Sequence, residues 1–235
     1  LATLLLALAS ASLAFPTTLG AQEDNQLVDP FFYEGMRYRM VGPFRGGRVT
    51  AVTGIAEKPH TFFMGGTGGG IWKTEDAGHH WVPIADDHLT NGNIGALDVA
   101  DSDPNVIYAG TGSACIRGNV SVGTGVWKST DGGDAWAFIG LPESGAIGSM
   151  AVHPRNPDLV YVAALGHPFG KNPDRGVYRS DDGGATWQNV LFLNDSTGAV
   201  SLAMDPSNPR VIYAGMWRAE RKPWTLLSGG PEGGP

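Results

Sequence analysis

A short segment that ends in tryptophan occurs three times along the chain, and this repetition constrains the fold more than any other feature. The copies are GGIWKTEDAGHHW at 69–81, TGVWKSTDGGDAW at 124–136 and RGVYRSDDGGATW at 175–187. Their closing tryptophans are 55 and 51 residues apart. Tandem repetition at this period indicates a solenoid, a propeller or another repeat architecture.

Two further elements recur upstream of each copy. A proline-led apolar segment occurs four times, as PHTFFMGG, PNVIYAGT, PDLVYVAA and PRVIYAGM, and another apolar strand precedes each one. The repeating unit is therefore strand, proline turn, strand, loop, strand, tight turn, strand. Four short strands per roughly 50 residues are typical of β-propeller blades. We predict an all-β chain, a β-propeller of four-stranded antiparallel blades, with three complete blades and half of a fourth.

Composition agrees with this architecture. The 235 residues include 35 glycines and 16 prolines but only 17% charged residues, which favours short strands and tight turns. The predicted propeller covers 36–235. Its blades span about 45–92, 93–143, 144–196 and an incomplete 197–235, and an alternating segment at 36–41 is predicted to close the ring. Because a propeller needs at least four blades, we expect the protein to continue beyond Pro235.

The N-terminal segment is predicted to be a targeting signal. Residues 1–21 form an uncharged apolar run followed by small residues, which is typical of a signal peptide cut after Ala21, or else after Ala14. A buried N-terminal helix is the alternative. A starting Met and a basic region are missing, so we predict that the signal is truncated; residues 22–35 are a predicted linker. The expected location is secreted or periplasmic.

Charge and cysteine content exclude several functions. The formal net charge of −7 argues against nucleic-acid binding, and no membrane insertion is expected after signal removal. The single Cys115 allows no intrachain disulfide. No metal-ligand spacing such as CxxC or HExxH is present, so we expect neither a metal nor a cofactor. The sequence leaves the oligomeric state open.

The repeated tight turn has the pattern S/T-x-D-x-G-x-x-W, in which each residue type has a structural role. The aspartate accepts backbone N–H bonds, the glycine supplies a positive φ, the hydroxyl ties the turn, and the tryptophan covers the seam between blades. A catalytic residue is needed once, whereas a turn needs these residues in every blade. We therefore assign a structural role to Thr74, Asp76, Gly78, Trp81, Ser129, Asp131, Gly133, Trp136, Ser180, Asp182, Gly184 and Trp187.

These three segments resemble the Asp-box, or BNR, repeats of sialidases, xyloglucanase-type glycoside hydrolases and the sortilin ectodomain. The longer string VGPFRGGRVTAV…GGTGGGIWKTEDAG…GTGSACIRGN…VHPRNPDLVYVAALGHPFG is similar to a family of secreted bacterial BNR-repeat proteins. Members of that family are described as sortilin N-terminal-like or as glycosyl hydrolases. The resemblance implies a propeller fold and either ligand binding or glycan hydrolysis.

Long loops at one end of the blades are predicted to hold the site, because the scaffold does not need their length. These loops are 112–124, 165–175 and 217–230, with the segment that leads into the first inner strand beside them. Loops that only pack against neighbouring blades are the alternative. The candidate ligand-binding residues are Arg45, Arg48, Asn93, Arg117, Asn119, His167, Trp217, Arg218 and Glu220. Arg45 and Arg48 either bind a carboxylate or sugar acid, or pair with an acidic residue of a missing blade.

Two functions remain open, and no catalytic residue is assigned. The first is an exported, sortilin-like binding or scaffold module for a glycan or peptide. The alternative is a glycoside hydrolase of xyloglucanase or sialidase type whose carboxylate pair is completed outside this chain. The resemblance to xyloglucanases implies that Thr67 of this chain stands at the position of their first catalytic aspartate. The likeness to sialidases is limited to Phe44-Arg45, which is similar to the start of a sialidase.

Overall fold

The computed structural model describes residues 29–33, 35–36, 47–231 and 234. The predicted signal peptide, most of the predicted linker, Arg45 and all of the predicted closing strand except Met36 lie outside these residues. Within 29–36 the chain forms a 3-10 turn at Pro30–Tyr33, and the Asp29 carboxylate accepts the Phe31 N–H at 3.0 Å.

From residue 49 onward the chain forms four consecutive antiparallel sheets, which are the blades of a β-propeller. Blade 1 contains β1 Val49–Ile55, β2 Lys58–Gly66, β3 Gly70–Thr74 and β4 Val82–Pro83. Blade 2 contains β5 Ile94–Val99, β6 Ile107–Thr111, β7 Val126–Ser129 and β8 Ala137–Gly140, followed by a 3-10 turn at Pro142–Ser144. Blade 3 contains β9 Ile147–His153, β10 Asn156–Ala164, β11 Gly176–Ser180 and β12 Gln188–Leu191. The predicted all-β propeller fold is confirmed.

The fourth sheet differs from the prediction. It contains β13 Thr197–Met204, β14 Ile212–Arg221 and β15 Leu226–Ser228, so it has three strands rather than two. The predicted loop at 217–230 is wrong, because Trp217, Arg218 and Glu220 lie on β14. The strand continues because it pairs with β13 up to Arg218 and then with β15 from Ala219, and Lys222 and Thr225 bond to each other across the tight turn.

The first strands of the blades, β1, β5, β9 and β13, lie side by side at the inner edge of the sheets. β1, β5 and β9 each have a bulge one residue after the start, and β13 has its bulge at Val200, three residues after the start. At this bulge the inner strand meets the next blade: Thr50 Oγ1 donates to the Ile94 carbonyl at 2.5 Å. In blades 2 and 3 the same position is Gly95 and Gly148, where a Cβ would approach the Ile147 and Val200 carbonyl oxygens to 2.0 and 2.4 Å.

The hydrophobic core lies in layers between successive blades. Phe63, Ile71 and Trp127 pack in the layer between blades 1 and 2, and Tyr108 and Val160 pack in the layer between blades 2 and 3. A smaller layer of alanine and valine side chains joins blades 3 and 4. A single four-stranded sheet cannot bury both of its faces, so each blade depends on its neighbour.

The repeated turn connects the third and fourth strands of each complete blade, and its geometry is the same in all three. In the third copy Ser180 Oγ donates to Asp182 Oδ1 at 2.8 Å and accepts the Gly184 N–H at 2.8 Å. Asp182 Oδ1 also accepts the Thr186 N–H at 2.9 Å, and Gly184 has a φ of 95°. Trp187 then donates its indole N–H to Ile139 of the preceding blade at 2.8 Å. The turn therefore links the end of one blade to the outer strand of the blade before it.

The close approach of the inner strands yields a test of the architecture. We expect Gly95→Ala to destabilise the intact protein by about 1–3 kcal/mol, because two backbone carbonyl oxygens occupy the space of the new methyl group. Gly170→Ala is the matched control, since a Cβ at Gly170 meets nothing within 4 Å. Denaturant unfolding measures both variants. Equal stabilities for the two would show that the blades tolerate a wider inner ring.

Candidate functional site

Backbone hydrogen bonds define the two ends of the blades. At the end where each inner strand begins, which we call the top, Thr67 N–H donates to Arg48 O, Gly112 N–H to Asn93 O, and Leu165 N–H to Ala146 O. At the opposite end, the repeated turn of each complete blade donates to a carbonyl at the start of the second strand or just before it, as from Gly183 N–H to Asp158 O at 2.9 Å. The repeated turns therefore lie away from the long top loops.

A cleft of about 740 Å³ lies on the top. One wall is the loop between β6 and β7, at Ala114–Asn119, and the other is the hairpin of β14 and β15. We call this cavity the top cleft. It is lined by Ala114, Cys115, Ile116, Arg117, Gly118, Asn119, Trp217, Arg221 and Leu226. No aspartate or glutamate is among these lining residues.

The floor beneath the top cleft is a hydrophobic cluster that three blades share. Ile116 and Val120 of blade 2 pack with Leu165 of blade 3 and Ala219 of blade 4, and Trp217 packs against them. Strand alternation places Trp217, Ala219 and Arg221 on one side of β14. Because the floor joins three blades, the walls of the cleft are fixed relative to one another.

The β6–β7 wall is held by side-chain amides at its base. Asn91 Nδ2 donates to the Val122 carbonyl and Asn93 Nδ2 to the Ser121 carbonyl, both at 2.5 Å, while the Gly123 N–H donates to Gly145 O at 2.6 Å. Asn93 is 1% exposed, and its Oδ1 has no hydrogen-bond partner among the described residues. In the structure Asn93 therefore anchors the loop from below, and its predicted contact with a ligand stays a prediction.

The hairpin wall is fixed by two contacts. Trp217 donates its indole N–H to Ser228 Oγ at 3.0 Å, across the hairpin. The Arg221 N–H donates to Pro168 O at 2.7 Å, which ties β14 to the loop between β10 and β11. Because the indole N–H of Trp217 is already hydrogen-bonded, its side chain is held in place and the rest of the ring lines the cleft.

A buried arginine organises the loop between β10 and β11. Arg175 is 1% exposed, and its guanidinium donates to the carbonyls of Leu165 at 2.6 Å, His167 at 2.9 Å and Gly170 at 2.8 Å. Burial lowers the pKa of Arg175. The predicted site residue His167 is half-buried, and its Nδ1 accepts the Phe169 N–H at 3.2 Å. His167 therefore shapes this loop and does not line the top cleft.

The remaining predicted residues are divided among separate places. Arg218 and Glu220 lie on the other side of β14 and line a small cavity of about 40 Å³ beside Lys171 and Arg175. Glu220 pairs there with Lys222. Arg48 is half-buried at the start of β1. Of the predicted site residues that the structure describes, Arg117, Asn119 and Trp217 meet in the top cleft.

Two residues of interest were not predicted. Arg221 belongs to the cleft, and the alternation of Trp217, Ala219 and Arg221 is the signal that points to it once 217–221 is treated as a strand. The second is Asp98 on β5, which lines a channel of about 380 Å³ between the inner strands of blades 1, 2 and 3. The equivalent positions in the other blades are Thr53, Ala151 and Ala203, so a carboxylate occurs there once.

Asp98 joins two blades through its carboxylate. Oδ1 accepts the N–H of Val99 at 3.0 Å, and Oδ2 accepts the N–H of Val152 on β9 at 2.7 Å. Desolvation raises the pKa of Asp98 to about 6, although both N–H bonds favour the charged form. The carboxyl group of Asp98 therefore has a pKa above the ordinary range of aspartate, with desolvation as the main cause.

Neither a metal site nor a membrane helix is found within the described ranges. No group of three or more His, Cys, Asp or Glu side chains is arranged to hold a metal ion there. The described helices are short 3-10 turns, and none has the length and apolar character needed to cross a membrane.

The chain is similar in sequence to known xyloglucanases over part of its length. No protein-family model matches the chain. A xyloglucanase from Paenibacillus sp is 28% identical over 153 residues, which is 60% of this chain and 14% of the relative. The crystal structure of an ancestral GH74 enzyme is 26% identical with a TM-score of 0.60, over 76% of this chain and 23% of that one. The GH74 xyloglucanase from Xanthomonas campestris shares the fold at 19% identity, with a TM-score of 0.54 over 80% of this chain and 31% of that one.

The raised pKa of Asp98 predicts a pH dependence of stability. The folded protein binds this proton more tightly than the unfolded chain, so the stabilisation is complete below pH about 4 and is lost as pH rises through about 6. We expect the unfolding free energy of the intact protein, measured relative to Asp98→Asn, to fall by about 3 kcal/mol across this range. Denaturant unfolding at several pH values measures the difference. A difference that is constant or rises with pH would contradict the assignment.

Proposed function

We propose that this chain is part of an exported, glycan-acting β-propeller protein of the glycoside hydrolase type, and that its top cleft binds the polysaccharide. The observation that carries the proposal is the sequence similarity to xyloglucanases over 60% of the chain. The chain spans 14% of that relative, so the activity of the intact protein is part of the proposal. Export follows from the apolar N-terminal run, whose structure lies outside the described residues.

The chemistry of the top cleft suits a carbohydrate. A volume of about 740 Å³ lies within the usual range of roughly 300–1,000 Å³ for ligand sites. Trp217, Ile116 and Leu226 provide apolar surface for the carbon-bound faces of a sugar ring, and Asn119 provides an amide for its hydroxyl groups. The walls are fixed by hydrogen bonds before any ligand arrives, which lowers the entropic cost of binding.

Hydrolysis requires more than this cleft. A glycosidase needs two carboxyl groups that are roughly 5–9.5 Å apart, depending on the stereochemical outcome. Thr67 stands where the resemblance to xyloglucanases places the first catalytic aspartate, and its hydroxyl donates to Thr50 Oγ1 at 3.4 Å. We therefore propose that this part of the protein holds the glycan and that the carboxylates come from elsewhere in the intact protein.

A binding scaffold without hydrolytic activity is the second candidate, and Thr67 is the observation in its favour. The similarity to xyloglucanases favours the hydrolase over this pure binding role, which sequence analysis had placed first. Incubation of the intact protein with xyloglucan and other cell-wall polysaccharides distinguishes the two. New reducing ends support the hydrolase, and glycan binding without them supports the scaffold.

Trp217 provides the sharpest test of the location. We expect Trp217→Ala to weaken polysaccharide binding by the intact protein roughly tenfold or more, or about 1.4 kcal/mol, because the cleft loses its aromatic surface. Tyr213→Ala is the control, since Tyr213 is a 65% exposed aromatic side chain at the other end of the same strand. Calorimetric titration measures both variants.

The outcomes separate the site from the function. Unchanged polysaccharide binding by a folded Trp217→Ala protein would show that the glycan binds outside the top cleft. The proposed glycan-acting function would still stand. Binding of peptides and of no polysaccharide would overturn the proposed function itself.

A further inference from the structure

The top cleft has an unusual charge for a chain with a net charge of −7. Two guanidinium groups line it, Arg117 from the β6–β7 wall and Arg221 from the hairpin wall, with no acidic residue among the lining residues of the described chain. Two lysines at the same end of the blades have acidic partners, since Lys171 lies 3.5 Å from Asp195 and Lys222 pairs with Glu220. The positive charge in the cleft is therefore balanced by neither wall.

The two arginines differ in how firmly they are held. Arg117 is exposed, and only its backbone is bonded, through N–H to Cys115 O and from Val120 N–H to Arg117 O. Arg221 is half-buried: its guanidinium lies against Gly118, where a Cβ would be 3.6 Å from one terminal nitrogen. Its Nε is buried and has no hydrogen-bond partner among the described residues. The guanidinium of Arg221 is thus held in place before a ligand binds, whereas the guanidinium of Arg117 is free to close over a ligand.

The neighbours of these arginines narrow the class of anion. A planar carboxylate accepts parallel N–H bonds from a guanidinium, which is the geometry that arginine provides and lysine does not. Trp217 and Leu226 line the same cleft and supply apolar surface beside the charges. A small inorganic anion would use the guanidinium groups but leave this apolar surface empty, whereas a carboxylated sugar uses both.

From this arrangement we propose that the top cleft recognises a uronic acid unit of a polysaccharide, with its carboxylate between Arg117 and Arg221 and its ring against Trp217. The inference rests on the proposed function and names the substrate class of the same site. It distinguishes the chain from a binder of neutral glucan. The net charge of this chain is −7, so its surface outside the cleft attracts a polyanionic glycan less than the two arginines do.

A matched pair of ligands tests the charge directly. The intact protein is titrated with an oligogalacturonide and with its fully methyl-esterified form, which has the same sugar rings without the carboxylate charge. We expect the acidic form to bind roughly tenfold tighter or more, with an advantage that shrinks as salt concentration rises. A sulfated oligosaccharide of similar length is the third ligand, because sulfate esters are the other common source of negative charge on glycans.

Substitutions then locate the effect. We expect Arg117→Gln and Arg221→Gln each to remove most of the preference for the acidic ligand over the esterified one, measured as the ratio of the two affinities within each variant. Arg155→Gln is the matched control, since Arg155 is an exposed arginine in the turn between β9 and β10, at the other end of the blade. Arg117→Lys, which keeps the charge, is expected to recover only part of the preference because the paired N–H donors are lost.

Each result decides a separate statement. Equal binding of the acidic and esterified ligands overturns the uronate inference and leaves the proposed function intact. Equal binding of the sulfated and acidic ligands overturns the assignment to a carboxylate. If a folded Arg117→Gln protein keeps the preference for the acidic ligand, the anion binds outside the top cleft. This conclusion holds even if the Arg221→Gln variant fails to fold. Binding of no polysaccharide of any charge overturns the proposed function together with the inference.

Discussion

The close contact between consecutive inner strands is the constraint on which the rest of the structure depends. At the bulge of each inner strand the chain approaches the next blade so closely that Gly95 and Gly148 have no space for a side chain. Where the first blade has Thr50, its hydroxyl takes part in the contact as a hydrogen-bond donor. This spacing brings the blades together at their inner edge, and their twist then separates the outer edges.

The layers between blades follow from this spacing, and equivalent positions show how they work. Leu97 and Met150 occupy the same inner-strand position in blades 2 and 3 and are 7% and 8% exposed. Val52 has that position in blade 1, where no described blade precedes it, and it is 73% exposed. Burial is therefore a property of the neighbouring pair of blades. The repeated turn strengthens the same layers from outside, because Trp136 and Trp187 donate to Ile84 and Ile139 of the preceding blade.

The sequence predicts the fold well because each copy of the repeat indicates the same local arrangement of strands and turns. The period of the closing tryptophans marks one blade, and the four proline-led segments mark the second strand of each sheet. The same logic failed after Trp217, where no tryptophan turn followed and the segment was interpreted as a loop. Residues 217–221 form a strand because Trp217 and Arg218 pair with β13 and residues 219–221 pair with β15. Pairing between two segments cannot be predicted from one of them alone.

The site was harder to predict because its residues come from different blades. Arg117, Asn119 and Trp217 meet in the top cleft, but Arg218 and Glu220 point to the opposite side of β14 because their strand alternates. Asn93 was chosen for its position at the top, and it lies beneath the loop. No sequence signal marks Asp98, because a single acidic residue in an apolar strand does not form a motif. Its environment follows only from the packing of β9 against β5.

The positive charge of the top cleft limits where the carboxyl pair of the proposed hydrolase can lie. A general acid in glycoside hydrolysis needs a raised pKa so that it remains protonated when it reaches the glycosidic oxygen. Arg117 and Arg221 would have the opposite effect on a carboxyl group placed between them, because nearby positive charge stabilises the carboxylate and lowers its pKa. The same two charges stabilise a ligand that brings a permanent carboxylate. The proposed uronate binding and the proposed hydrolysis are therefore compatible when the catalytic carboxyl groups lie apart from Arg117 and Arg221.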